Sequence, residues 1–286
     1  ALKRLCDFDQ LKASSFLQRH GDGPTYAEPE RERLPAFLCE RLRHCAAKAG
    51  VRVETVFLSA YALWIWQRRS EKTNPIIGVC TNGRHYQDLL RLVGPVSKCL
   101  PVALAVRRTS VLSEILAEHE SKMLACEECH ESFAWEKLWP GDSQLDSRAC
   151  FLEHAFEHID TGTCWQMGDC RTRVERLYAS NDRFALKLVS QQMEDGMAIE
   201  FQFSPAVHNH DSVRNCLQQY LAVLSRISED LDSVVEKIEI LSPEERERVV
   251  NPWNRTECSY PDLCLHEIFE RQVSRTPEAT ALVFED

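Results

Sequence analysis

Residues 55–68 carry Val56, Phe57, Leu58, Ala60, Tyr61, Leu63, Trp64, Ile65 and Trp66, which cover nearly the whole circumference of a helix. A helix without a polar face must be buried on most sides, so this segment predicts the central helix of a domain. Just before it, residues 36–49 place Phe37, Leu38, Leu42, Cys45 and Ala46 on a single stripe and stop at Gly50, which predicts a helix packed on one side only. In residues 184–203 the period changes. Phe184, Leu186 and Leu188 alternate with less apolar neighbours, Asp195-Gly196 supplies a turn, and Met197, Ile199, Phe201 and Phe203 alternate on the return, which predicts a β-hairpin with one face on a core.

The remaining elements follow the same logic. Short apolar runs at residues 75–80 and 100–106 suit interior strands, and Ser110 can cap a helix with Leu112, Leu116, His119, Met123 and Cys126 on one face. Asp211 or Ser212 can cap a further helix carrying Val213, Cys216, Leu217, Tyr220, Leu221, Leu224 and Ile227. Strands and helices in this mixture predict an α/β two-layer sandwich: a mixed sheet covered on one side by the helices of residues 36–49 and 55–68. Ser242-Pro243-Glu244-Glu245 reads as a capping box with proline at the first helical position, so a separate short helix begins there. The tail beyond it is too short to build a core of its own.

Composition narrows the function classes. A chain of 286 residues with 44% hydrophobic residues can bury a full core. A formal charge of −10 without a basic helical face argues against nucleic acid as a partner. The sequence lacks an apolar stretch near the ~20 residues that span a bilayer, and residues 1–6 lack a signal-peptide core, so no membrane and a cytoplasmic location are expected. Thirteen cysteines in a chain of this length do not form a dense secreted framework, so reduced thiols, mostly in the core, are the expected state.

Several constellations have both a chemical and a plain reading. Cys126-Glu127-Glu128-Cys129-His130 matches the CxxCH pattern of haem attachment, yet a helix terminus is the favoured reading. His154 and His158, with Cys150, Cys164 and Cys170 nearby, suggest zinc by content; on a strand, however, the two imidazoles would sit about 13 Å apart, too far for one metal. No metal site is assigned. His208-Asn209-His210-Asp211 reads as a loop leading into a helix cap. Asn254-Arg255-Thr256 is a glycosylation sequon by pattern alone.

Leu241-Ser242-Pro243-Glu244-Glu245-Arg246, Pro252-Trp253-Asn254-Arg255-Thr256, Leu265-His266-Glu267-Ile268-Phe269-Glu270-Arg271-Gln272 and Thr276-Pro277-Glu278-Ala279 occur in the order and spacing of a condensation-to-adenylation junction. They resemble the linker of a nonribosomal peptide synthetase. Upstream, Gly78-Val79-Cys80-Thr81-Asn82-Gly83-Arg84 resembles the condensation family's strand and its glycine- and arginine-containing turn. Val93-Gly94-Pro95-Val96-Ser97-Lys98-Cys99-Leu100-Pro101-Val102 resembles its "IGxFVNTLPL" segment, with Lys98 and Cys99 in place of Asn and Thr. His130-Glu131-Ser132-Phe133-Ala134-Trp135-Glu136 is similar to "HQDYPFE", with Ala134 in place of proline, and Ser147-Arg148 remains of the "RDxSRNPL" block.

The resemblance implies a chloramphenicol-acetyltransferase-like lobe plus a helical linker: residues 1–236 as the C-terminal subdomain of a condensation domain, 237–260 as linker, and 261–286 as the N-terminal opening of an adenylation domain. It makes Gly78, Arg84, Gly94, Pro101, His130, Trp135 and Glu136 mainly structural, and Ser147 and Arg148 candidates for the wall of the substrate tunnel. The implied chemistry is amide formation between carrier-bound thioesters. Implied partners are an N-terminal condensation lobe, peptidyl and aminoacyl carrier proteins bearing phosphopantetheine, and an adjacent adenylation domain; no cofactor is bound directly. The family's "HHxxxDG" motif belongs to the other lobe, and no His-His pair occurs in this chain. No catalytic residue is therefore assigned, the chain alone is expected to be inactive, and it is expected to be part of a longer polypeptide. The alternative is a condensation-like platform without catalysis, which recruits a tailoring enzyme or positions modules.

Overall fold

The computed structural model describes residues 5–6, 27–84, 87–94, 96–135, 152–175, 184–241, 243–259 and 262–284. Its strands are β1 (Glu30–Arg33), β2 (Ile76–Thr81), β3 (Lys98–Ala103), β4 (Leu152–Asp160), β5 (Cys164–Met167), β6 (Cys170–Arg173), β7 (Phe184–Met193) and β8 (Gly196–Phe203). Its α-helices are α1 (Ala36–Ala49), α2 (Val53–Arg68), α3 (Gln87–Leu90), α4 (Leu112–Cys129), α5 (His210–Glu229), α6 (Pro243–Val250) and α7 (Leu265–Arg275). The chain divides into two compact units, 1–242 and 243–286.

In the first unit six strands form one sheet in the order β1-β8-β7-β4-β2-β3, while β5 and β6 pair separately. β4 runs parallel to both β2 and β7, and the other pairings are antiparallel. The mixed sheet and the hairpin of residues 184–203 are as expected, except that both faces of the hairpin are buried and not one; its arms meet in register from Leu186 opposite Phe203 to Met193 opposite Gly196.

Twelve consecutive residues of α2, Thr55 to Trp66, are buried. The helix has no solvent face because each side meets a partner: the Trp64 ring lies 5.9 Å from Phe201, the Phe57 ring 6.5 Å from His158, and the Tyr61 hydroxyl 3.1 Å from His154 Nδ1. Tyr220 of α5 closes another side by donating its hydroxyl to the Phe57 carbonyl at 3.1 Å. Burying each large side chain stabilises the fold by roughly 1.5–3 kcal/mol, so this helix anchors the core. Period-2 alternation then assigns the opposite face of the sheet to Ala155, Glu157, Lys187, Glu200 and Gln202, where Lys187 Nζ pairs with Glu157 Oε2 at 2.7 Å.

Five other sequence expectations change. Phe37 is 60% exposed, because it sits in the first turn of α1 on the side away from the stripe Leu38, Cys39, Leu42, Cys45 and Ala46 that packs inward. Ser110 does not cap α4: its carbonyl accepts from Val235 N–H, and Val111 is the cap, its N–H held by the Glu114 carboxylate at 3.3 Å. Neither Asp211 nor Ser212 caps α5; Asn209 does, its Oδ1 accepting the Ser212 N–H at 2.8 Å. The strand expected at residues 100–106 begins earlier and ends at Ala103, although Leu104 and Val106 stay buried. Finally, reduced thiols are not universal, since Cys80 and Cys99 are joined in a disulfide.

The second unit holds α6, a 3₁₀ turn at Pro252–Asn254, and α7. Asn254 Nδ2 donates to the carbonyls of Val249 (2.8 Å) and Val250 (3.0 Å), closing the C-terminal end of α6. Ser242, the expected cap, lies outside the described residues. Every described residue from Asn251 to Phe284 is exposed, which agrees with a segment too short for its own core.

Candidate functional site: the clamp at the ends of β2 and β3

β2 ends and β3 begins at the same edge of the sheet, with Gly78 opposite Pro101, Cys80 opposite Cys99 and Thr81 opposite Lys98. Proline in a strand lacks a ladder donor, and β3 accepts Pro101 because it is the outermost strand. Gly78 is set by packing: a Cβ there would lie 3.0 Å from Phe184 Cε1 and 3.3 Å from Leu152 Cδ1.

His130, the residue after α4, fits between these strand ends with 4% of its surface exposed. Its Nε2 lies 2.9 Å from the Val96 carbonyl, which can only accept, so Nε2 carries the proton. Nδ1 is hydrogen-bonded to the Thr81 hydroxyl at 2.5 Å. Both ring nitrogens are thus used, and the imidazole ties the β2–β3 connection to the end of α4. Gly83, at φ +65°, is required by this contact, because a Cβ would lie 2.2 Å from His130 Nε2 and 2.6 Å from the Val96 oxygen.

Lys98 completes the clamp. Its Nζ donates to the carbonyls of His130 (3.0 Å), Phe133 (3.1 Å) and Glu131 (3.3 Å). An ammonium at a helix C-terminus satisfies orphan carbonyls and meets the negative end of the helix dipole. Trp135 Nε1 donates to the Cys99 carbonyl at 3.0 Å, and its ring stands edge-on to Phe133 at 5.1 Å. On the other side Arg84 Nη1 donates to the carbonyls of Leu89 and Leu92, both at 2.6 Å, and Nη2 to that of Gly94 at 3.4 Å, which folds residues 87–94 around the guanidinium.

Gly78, Arg84, Gly94, Pro101, His130 and Trp135, from three separate sequence blocks, therefore share one neighbourhood. Glu136, Ser147 and Arg148 lie outside the described residues. Sequence reasoning missed Thr81 and the part played by Lys98; the signal available was a charged residue where the family block has a neutral one.

His119 and His154 are buried and hydrogen-bonded, His158 is part-buried, and His210 lies exposed beside Glu30. His154 lies on β4 against Tyr61, and burial, reinforced by Arg69, pulls its pKa down to about 3. His158, on the same strand, is lowered by burial and meets Ser190 Oγ at 2.9 Å. His119 of α4 donates from Nε2 to the Ala105 carbonyl (3.1 Å) and accepts from Ser59 (2.9 Å), with its pKa lowered to about 4 by burial. In the CxxCH segment, Cys126 and Cys129 are buried on α4 with His130 just past its end, a helix terminus.

A sequence profile of the condensation domain matches residues 18–250. Bacitracin synthase 1 of Bacillus licheniformis is 24% identical over 264 residues, covering 91% of this chain and 5% of the relative. Among solved structures, the first condensation domain of the CDA synthetase superposes with a TM-score of 0.64 at 16% identity, over 82% of this chain and 52% of that one. The X-domain of teicoplanin biosynthesis, solved in complex with OxyB, gives 0.60 at 17%, over 82% and 55%. The chain belongs to the condensation domain family of nonribosomal peptide synthetases and has the chloramphenicol-acetyltransferase-like α/β fold. It spans about half the length of the solved condensation domains it resembles, and a small fraction of the synthetase. Among the described residues no helix is long and apolar enough to cross a membrane.

Proposed function

We propose that this chain is the C-terminal lobe of a condensation domain (residues 1–236), followed by a linker (237–260) and the opening of an adenylation domain (261–286), and that its sheet forms one wall of the tunnel for two carrier-borne phosphopantetheine arms. In the reaction the amine of an aminoacyl thioester attacks the carbonyl of an acyl or peptidyl thioester. The C–N bond forms, the C–S bond breaks, the amine gives up a proton, and the donor carrier's thiol is released. Much of the acceleration comes from confining two tethered reactants in one channel. The observation that supports this reading most is the convergence of three family blocks on the ends of β2 and β3. There His130, Lys98 and Arg84 spend their hydrogen bonds on carbonyls of the chain and on the Thr81 hydroxyl, which suits a rigid wall in a domain whose reacting histidine belongs to the other lobe. The test is to supply that lobe in trans with two charged carriers and measure dipeptide release. Product in the combined reaction, absent with either lobe alone, is the expected result; a combination that associates and still gives only background aminolysis would reject the acyl-transfer reading.

The second reading is a platform for a tailoring enzyme, as the X-domain complex exemplifies for its own protein. It is favoured by Lys98 and Cys99, which depart from the family block and are both engaged within the lobe. Stable association with a tailoring enzyme, together with failed complementation, would select it.

A further inference from the structure

Two pairs of cysteines lie at the clamp, and they differ in chemistry. Cys126 and Cys129 lie on one face of α4; both are buried, and burial pushes the Cys126 thiol up to about 12. Such a thiol stays protonated and inert near neutral pH. Cys80 and Cys99, nineteen residues apart in sequence, are only half-buried, stand opposite each other on β2 and β3, and are bonded. Their bond joins the outermost strand of the sheet to its neighbour, and both residues keep part of their surface exposed.

The neighbours of this bond are the residues of the clamp. Thr81 follows Cys80 and holds His130; Lys98 precedes Cys99 and holds the carbonyls of residues 130, 131 and 133; the Cys99 carbonyl accepts from Trp135. We propose that Cys80 and Cys99 form a reversible redox pair whose state sets how firmly the two strand ends grip the turn after α4. Closing the bond removes two electrons and two protons from the two thiols. Glutathione disulfide accepts them through a mixed disulfide and leaves as two molecules of glutathione, and a dithiol reverses the step. The CxxC pattern read from the sequence is the inert pair; the pair created by strand register is the reactive one. This inference stands independently of the acyl-transfer reading.

The test equilibrates the full 286-residue chain in glutathione buffers of defined ratio, followed by differential alkylation with mass spectrometry and amide exchange on the same samples. Cys80 and Cys99 should shift together between alkylated and protected forms while Cys126 and Cys129 remain thiols, and amides of residues 80–84 and 130–135 should exchange about tenfold faster in the dithiol state. Cys80→Ser and Cys99→Ser chains should lose the dependence on the buffer, and the wild-type comparison decides the matter even where a variant does not fold. A pair that stays thiol in excess glutathione disulfide, or a bond that survives excess dithiothreitol in the folded chain, would overturn reversibility. Equal exchange in the two states would overturn the link to the clamp.

Discussion

Lys98 Nζ lies 3.0 Å from the carbonyl of His130, so the first residue of β3 holds the first residue beyond α4. The contact joins a sheet edge to a helix end, and two further carbonyls share the same ammonium. Lys98→Met keeps the stem and removes the charge and all three donors. We expect a loss of about 1.5–3 kcal/mol, the range for hydrogen bonds to a charged group, with Lys98→Arg retaining most of the stability. Urea midpoints measured at low and high salt check this, and a wild-type midpoint for Lys98→Met would show that the three contacts contribute nothing.

Gly83→Ala is expected to destabilise by about 2–4 kcal/mol, because positive φ and a collision with the His130 ring act together. His130→Ala in the same chain removes the colliding atoms but orphans the Val96 carbonyl and the Thr81 hydroxyl. The double variant should therefore be less destabilised than the sum of the two singles. Simple additivity in a denaturation cycle would separate the two residues.

Acid should unfold the lobe through its buried histidines. His119 and His154 have folded-state pKa values lowered to about 4 and about 3, against about 6.5 unfolded. Between those limits the unfolded chain binds more protons, so their contribution is complete above about pH 6.5 and is lost as the pH falls towards 4 and then 3. For His119, fully buried and lowered to about 4, the full loss is roughly 3 kcal/mol. Stability measured from pH 7 to 4 should fall steeply, and His119→Gln should flatten the curve. An unchanged slope in that variant would assign the acid sensitivity elsewhere.

The isolated chain should form no amide bond between two loaded carriers. It has no His-His pair, and both nitrogens of His130 are already committed. Dipeptide release from charged carriers with this chain as sole catalyst is the assay. Turnover well above uncatalysed aminolysis would give His130 a role beyond the clamp.

Within the tail, α7 presents Leu265, Ile268, Phe269 and Val273 to solvent, and every described residue from Asn251 to Phe284 is exposed. Exposed helices of this length are marginal in water. Amide protection should be weak across residues 262–284 and strong across 55–66. Strong, uniform protection through residue 284 in a monomer would place the domain boundary later than residue 242.

Local pattern was enough to identify the elements that bury apolar surface. The all-round apolar run of residues 55–68 required a central helix, and the two-residue alternation about Asp195-Gly196 required a hairpin, because helix and strand periods map directly onto faces. Those two elements already implied a sheet with helices on one side. Cap positions were less legible: Ser110, Asp211 and Ser212 all have suitable side chains, but Val111 and Asn209 take the positions because the Val111↔Val234 bridge and the Asn209–Ser212 exchange set where each helix starts.

The site divides along the same line. Its family words were readable as words, and the sequence alone marked Lys98 and Cys99 as departures. What they do was decided by register: pairing β2 with β3 sets Cys80 against Cys99 and Thr81 against Lys98, and the end of α4 then meets that edge. A one-residue slip would turn each of these side chains to the other face. Only the assembled sheet, with α4 packed beside it, could place the imidazole of His130 between Thr81 and Val96, since segments distant in the chain are brought together by burial of the core and not by any pattern within one of them.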